Sequence, residues 1–230
     1  MSTVDPMPPV MLTERHDGWV LLTLNRPDKR NALSIELRDA ITDELRALAD
    51  DDAVNGVAIT GAGGTFSGGW DLKEFDLAAT DPDLGRQIWR SADEFHHTLL
   101  TFPLPLVAAV DGPALAGAFD LAVCCDVRLA SSTARFAHPE FIWADLLYSP
   151  LEAIVGGAVA RDLLLTGREI GAAAALRVGL VSEVVEPEQL SEALHVVMGR
   201  IASAPRDALR RTKAKAIRRA AIDLVETLAL

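Results

Sequence analysis

Two stretches constrain this chain most, because in each a short, non-alternating apolar run leads directly into a glycine-bearing loop and then a helical pattern. Val57-Ala-Ile-Thr60 runs into Gly61-Ala-Gly-Gly-Thr-Phe-Ser-Gly-Gly-Trp-Asp-Leu-Lys73, and Leu106-Val-Ala-Ala-Val110 runs into Asp111-Gly-Pro-Ala-Leu-Ala-Gly-Ala-Phe-Asp120. A strand that is apolar throughout is buried on both faces, as strands of parallel sheets are. Upstream, Trp19-Val-Leu-Leu-Thr-Leu24 reads as a buried strand ending at Asn25-Arg26-Pro27. Ser34 can cap a helix whose apolar residues Ile35, Leu37, Ile41, Leu45 and Leu48 recur at helical spacing. Strand, helix and strand in so short a space make a βαβ unit, and sheets built this way bind ligands at the carboxyl ends of their strands.

Further along, the pattern predicts a helix over Ile88 to Leu100, helical continuation from Leu121 to Cys125 and a strand at Val127-Arg-Leu-Ala130. A helix ends at Leu163-Leu-Leu-Thr-Gly167, another spans Ala172 to Val178, and a short strand covers Val181 to Val185. Two last helices, about Glu188 to Ala204 and Arg206 to Leu230, are separated by Pro205. The chain is therefore expected to be α/β, with residues 1-205 as one core and 206-230 as a helical C-terminal segment. A length of 230 residues, half of them hydrophobic, suits one main domain.

Lys and Arg number 22 against 33 Asp and Glu, so the surface is acidic overall, which disfavours a nucleic-acid groove or an anionic membrane surface. An anionic ligand would need a local basic patch. Cys124 and Cys125 are adjacent in an apolar run and read as buried hydrophobes, in keeping with a reduced, cytoplasmic setting. No apolar stretch is long enough to span a bilayer, and Met1 to Pro9 lack the pattern of a secretory leader.

Where a buried strand turns tightly into a helix, unpaired backbone N–H groups gather at the helix start. Two such donors from separate loops, aimed at one thioester oxygen, would stabilise an enolate, and each donor is worth about 2.7–4 kcal/mol. Asp120 sits three residues after Gly117, in the first turn of its helix, and Glu140 follows the next strand in Phe136-Ala-His-Pro-Glu140. Two carboxyl groups flanking an activated thioester can serve as general base and acid. The plain alternatives are that the glycines only permit tight turns, that Asp120 only complements a helix dipole, and that Glu140 is a surface acid. Gly61-Ala-Gly-Gly64 does not complete a dinucleotide fingerprint, and no Gly-x-Ser-x-Gly elbow is present. His96 and His97 face different directions on their helix, which argues against a two-histidine metal site; no metal is expected, and His138 reads as a structural hydrogen-bonding group.

Several segments in order resemble the landmarks of the enoyl-CoA hydratase/isomerase (crotonase) superfamily: Asn25 to Leu33, Phe66 to Glu74, Ala109 to Ala122, Cys125-Asp126, Phe136 to Glu140, and Leu165-Thr-Gly-Arg168. The resemblance, which runs from about Val20 to Pro205, implies a crotonase-like spiral of ββα repeats with a helical C-terminal region, assembled as a homo-trimer or hexamer. It implies that the amides of Trp70 and Gly117 form the oxyanion hole and that Asp120 and Glu140 align with the catalytic glutamates of the hydratases. It also implies that Lys29, Arg30, Ala32 and Leu33, with Asp71, Leu72 and Lys73, line the coenzyme A site. The expected activity is hydration of a 2-enoyl-CoA, with no cofactor beyond the coenzyme A carried by the substrate. Double-bond isomerisation, which needs only Glu140, and acyl-CoA binding without turnover are the alternatives.

Departures from the family pattern concern the acids and the acyl pocket. Asp120 is one methylene shorter than the usual Glu, roughly 1.5 Å of reach. Ala116 and Ala118 stand where glycines usually flank Gly117. After Glu140 the usual Gly- and Pro-rich stretch is replaced by Phe141 to Ala153, which places Trp143 and Tyr148 at the acyl pocket and adds Asp145 as a third carboxylate. The chain also stops early for the family, and its last helix carries Arg210, Arg211, Lys213, Lys215, Arg218 and Arg219, read as a solvated face with the lesser alternative of contact with coenzyme A phosphates.

Overall fold

The computed structural model describes residues 8–220, so the last ten positions of the 206-230 segment lie outside the described residues. Among the described residues nine strands form two sheets. The larger has six strands in the order β1 (Met11–His16), β2 (Trp19–Leu24), β3 (Gly56–Gly61), β4 (Leu106–Val110), β6 (Val127–Ser131) and β9 (Glu183–Val185). The smaller joins β5 (Pro113–Leu115), β7 (Arg135–Ala137) and β8 (Ile170–Gly171). Among the described residues eight helices surround them: α1 (Ile35–Ala49), α2 (Leu72–Ala78), α3 (Pro82–Thr101), α4 (Gly117–Cys124), α5 (Ser149–Thr166), α6 (Ala172–Arg177), α7 (Leu190–Ala202) and α8 (Arg206–Ala220). None of the described helices is long and apolar enough to cross a membrane.

The expected βαβ unit is present. β2 pairs parallel to β3, β3 to β4, and β4 to β6, and every residue of β4 is buried. Ser34 caps α1, its hydroxyl accepting from the Leu37 amide at 3.3 Å, and Leu37, Ile41, Leu45 and Leu48 are wholly buried beneath it. The strand β1 was not legible as a strand because it is an exposed edge whose residues show no apolar period. It forms a hairpin with β2 through Asp17-Gly18, with Gly18 at φ 77°. The helix α3 begins six residues before the predicted start, capped by Asp81 with Pro82 in the first position.

The basic helix α8 is not solvated throughout. Lys213 is 7% exposed, donates to the Leu104 carbonyl at 2.9 Å and pairs with Asp126 at 2.8 Å, while Arg210, Arg211, Lys215, Arg218 and Arg219 are exposed. Asp126 in turn accepts from the Leu106 amide at 2.7 Å, so one carboxylate joins α8 to the start of β4.

Candidate active site

The two glycine loops lie against each other. Ser67 and Ala114 form a parallel bridge, with Ser67 N–H donating to the Pro113 carbonyl at 3.0 Å and Leu115 N–H to the Ser67 carbonyl at 3.2 Å. A third segment joins them through Asn31, which is fully buried with φ 52°. Its amide nitrogen donates to the Ala62 and Thr65 carbonyls at 2.9 and 2.7 Å, its side-chain oxygen accepts from the Arg26 amide at 2.9 Å, and its carbonyl accepts from the Ser67 hydroxyl at 2.7 Å. A short polar side chain that tolerates a left-handed backbone suits this junction.

At the tip of these loops the Trp70 indole packs on the backbone of Gly117. A Cβ placed on Gly117 would lie 2.6 Å from Trp70 Cε2 and Cζ2, so glycine is required there. One on Gly69, at φ 88°, would lie 2.3 Å from the Leu115 carbonyl oxygen. Gly117 begins α4, and the residue before it, Ala116, has φ 53° and ψ −135°, a conformation strained for any residue with a side chain. Among the described residues neither the Trp70 nor the Gly117 amide donates to a carbonyl of the turns and loops.

The indole is held from behind by Arg38, which is wholly buried and lies 5.3 Å from the ring centre. Arg38 donates to the Leu33 carbonyl at 2.5 Å, the Ile88 carbonyl at 3.2 Å and the Ser91 hydroxyl at 3.2 Å, and Glu74 lies 4.0 Å away. Burial lowers its pKa to about 10, against the attraction of Glu74, Asp39 and Asp71, so it stays charged at neutral pH. His96 meets Trp70 edge-on at 5.9 Å, and burial, with Arg38 and His138 adding to it, depresses its pKa to about 3. The His96 ring is therefore neutral, and neither nitrogen has a hydrogen-bond partner among the described residues.

Outward from Trp70 opens a cleft of about 300 Å³, lined by Asp28, Lys29, Arg30, Ala32, Gly68, Asp71, Leu72 and Lys73 as well as Trp70 itself. Six of the seven residues assigned to coenzyme A from the sequence are thus gathered at one place. Leu33 is the exception: its side chain is fully buried, and it contributes main chain, its amide donating to the Gly69 carbonyl at 2.8 Å. Asp71 caps α2 and pairs with Arg26 at 2.8 Å. Lys29, Arg30 and Lys73 are exposed on the rim, a local cationic patch on an acidic protein.

Asp120 and Glu140, 1% and 3% exposed, come together on either side of His138. Asp120 is carried by the first turn of α4, and Glu140 by a single 3₁₀ turn, Pro139–Ile142, that directly follows β7. His138 Nε2 lies 3.6 Å from Asp120 Oδ1, an ion-pair separation, and Nδ1 lies 3.2 Å from Glu140 Oε1. Burial works against charge on the His138 ring, but Asp120 and then Glu140 outweigh it and raise its pKa above the ordinary 6.5. The ring stacks on Phe119 at 4.7 Å, which fixes its plane. Glu140 Oε2 is buried with no hydrogen-bond partner among the described residues.

One ligand atom from each of Asp120, His138 and Glu140 lies within 4.8 Å of the others. The two carboxylates nevertheless face different ring nitrogens, so the lone pair of either nitrogen points at one acid and not at a centre shared by all three. That geometry suits a proton-bearing array better than a metal cage.

Of the two residues assigned to the acyl pocket, Trp143 is 51% exposed and meets Phe75 edge-on at 6.1 Å, and Phe75 in turn meets Trp89 at 5.7 Å. Phe75 and Trp89 pack on Trp70, Ala92 and Ala116, so an aromatic wall runs from the loop tip to the surface. Tyr148 lies apart from that wall; its hydroxyl donates to Glu152 at 2.9 Å and accepts from Arg161 at 3.3 Å. Asp145 is exposed. The residues that sequence reasoning undervalued are His138, Asn31 and Arg38, whose roles arise from partners 18 to 53 positions away.

Amide donors at a helix start, faced by buried carboxylates and fed by a cationic cleft, equip a protein to hold an oxyanion while protons are moved beside it. The enoyl-CoA hydratase/isomerase family model matches residues 14–230, and the chain belongs to that family. It is 35% identical over 223 residues, 90% of this chain and 80% of the relative, to a crotonyl-CoA hydratase of Syntrophomonas wolfei. It is 38% identical over 181 residues, 76% and 68% of the two chains, to a 2,3-dehydroadipyl-CoA hydratase of Escherichia coli. A crystal structure of an enoyl-CoA hydratase/isomerase from Xanthobacter autotrophicus superimposes with a TM-score of 0.85 at 32% identity, covering 91% of this chain and 79% of that one. The fold is the crotonase fold expected from the sequence.

Proposed function

We propose that this protein is an enoyl-CoA hydratase that adds water across the 2,3 double bond of an acyl-CoA thioester. The observation that carries the reading is the convergence of two buried acids, one of them with an unpartnered oxygen at Glu140 Oε2, beside the amides at the start of α4. A buried carboxylate oxygen without a partner costs about 1–3 kcal/mol or more, and reserving it for a bound water accounts for that cost. Asp120 and Glu140 hold the water between them. Its hydroxyl adds to C3, the electron pair moves to the thioester oxygen, and the Trp70 and Gly117 amides stabilise the enolate. Glu140 takes the proton the water releases and returns it to C2, so both acids end the cycle as they began it. Relatives named as hydratases of crotonyl-CoA and 2,3-dehydroadipyl-CoA support this reaction over isomerisation.

Lys29, Arg30 and Lys73 meet the phosphates of coenzyme A, with Ala32, Asp71 and Leu72 shaping its cleft and Leu33 bracing the Trp70 loop. Trp143, with Phe75 and Trp89, forms one wall of the acyl site. The reading includes no cofactor besides the coenzyme A of the substrate, a homo-trimer or hexamer, and a cytoplasmic location. Turnover of crotonyl-CoA and longer 2-enoyl-CoAs, followed as loss of the conjugated thioester absorbance, tests the reaction. Glu140→Gln abolishes it, and Asp120→Ala lowers it by roughly a hundredfold or more. A wild-type protein that binds acyl-CoA without hydrating any of them would refute the assignment.

A further inference from the structure

Two carboxylates buried beside one another face a difficulty, since their like charges repel where little water screens them. The ring between them removes that difficulty. Its Nδ1 lies within hydrogen-bond distance of Glu140 at 3.2 Å and its Nε2 at ion-pair distance from Asp120 at 3.6 Å, and only an imidazolium presents an N–H to both acids; a neutral ring would turn a lone pair on one carboxylate.

We propose that His138 is a positioning residue of the hydration site, an imidazolium that ties Asp120 to Glu140 and offsets their negative charge while the enolate forms beside them. The inference rests on the hydratase reading for its catalytic consequence but not for its electrostatic one. The charged groups that act on His138 come from two elements: Asp120 faces it from α4 and Glu140 from the 3₁₀ turn, while His96 of α3, itself neutral, feels the His138 charge without adding to it. Phe119 stacks on one face of the ring at 4.7 Å and an interplanar angle of 25°, which sets its plane.

The sign of the pH dependence follows. A raised pKa means that the charged ring is present below it and lost as pH rises through it, so the wild-type kcat/KM should fall on the alkaline side at a value above 6.5. Gln at this position can donate to one acid but not both. His138→Gln is expected to lose the alkaline limb and to lower kcat by roughly ten- to a hundredfold with little change in KM. A merely structural histidine would leave the shape of the profile unchanged. An independent arm uses NMR titration of the His138 imidazole in the wild type, in Asp120→Asn and in Glu140→Gln. A pKa above 6.5 that drops in both variants supports the clamp whatever the substrate proves to be. An unaltered alkaline limb with kcat within twofold in His138→Gln, or an imidazole that titrates at or below 6.5 in the wild type, overturns it. Absence of hydration in the wild type would refute the reaction and leave the NMR arm to decide the clamp.

Discussion

Replacing Gly117 by Ala tests the geometry on which the oxyanion site depends. The new Cβ would sit 2.6 Å from Trp70 Cε2 and Cζ2 and 2.9 Å from Cδ2, where carbon contacts settle at about 3.5–4.0 Å. The indole must therefore retreat by about 1 Å, yet Ala92 and Ala116 pack on it, and Arg38 and His96 lie 5.3 and 5.9 Å from the ring. Some of the strain passes to the Trp70 and Gly117 backbones, whose amides are the assigned donors. Overpacking of this kind costs about 1–3 kcal/mol of stability, and loss of one oxyanion donor costs about 2.7–4 kcal/mol, or 10²–10³ in kcat. We expect Gly117→Ala to fold with a lowered melting temperature and to hydrate a 2-enoyl-CoA roughly a hundred- to a thousandfold more slowly. KM should change little, because the Lys29, Arg30 and Lys73 cations on the rim of the coenzyme A cleft are not displaced. Adding Trp70→Ala removes the obstructing ring, so the double variant should recover part of the rate, with a coupling of about 1–3 kcal/mol. A Gly117→Ala enzyme within threefold of the wild-type kcat at an unchanged melting temperature would refute the reasoning.

Two further substitutions probe the surroundings. Ala116 holds φ 53° and ψ −135°, a strain of about 1–3 kcal/mol against the roughly 0.5–1 kcal/mol that glycine loses in chain entropy, so Ala116→Gly should raise the melting temperature by roughly 2–4 °C; a lower value in calorimetry would contradict this. Trp143→Ala removes the outer ring of the aromatic wall and should leave kcat/KM for crotonyl-CoA unchanged while lowering it about tenfold for substrates of eight to ten carbons, and an equal loss at every chain length would remove Trp143 from the acyl site.

What could be read in advance divides along physical lines. The strands β2, β3, β4 and β6 were legible because they are largely buried on both faces and mostly apolar, and α1 because Ser34 and five periodic residues mark it. The helix α2 buries no residue and so leaves no apolar period, and β5 and β7, at three residues each, are too short to show one. Asp17-Gly18 and Asp81-Pro82 carry local turn and capping signals for the β1 hairpin and the start of α3 that apolar patterning alone does not show. Asp120 and Glu140 could be named as candidates from their places after glycine loop and strand. That His138 joins them depends on α4 and the 139–142 turn meeting across the chain, which spacing does not encode. Lys213 resembled its exposed neighbours on α8 in sequence and differs from them only in having Asp126 and the Leu104 carbonyl opposite it.

The packing of Trp70 on Gly117 also sets an order on the paths by which this protein could vary. A smaller residue at position 70 can arise on its own, since it opens space and leaves the position 117 backbone untouched. A side chain at position 117 costs stability and donor geometry as long as the indole stays, because its Cβ would stand 2.6 Å from the ring. Variation at 117 is therefore eased by prior change at 70, and the tryptophan holds the glycine in place.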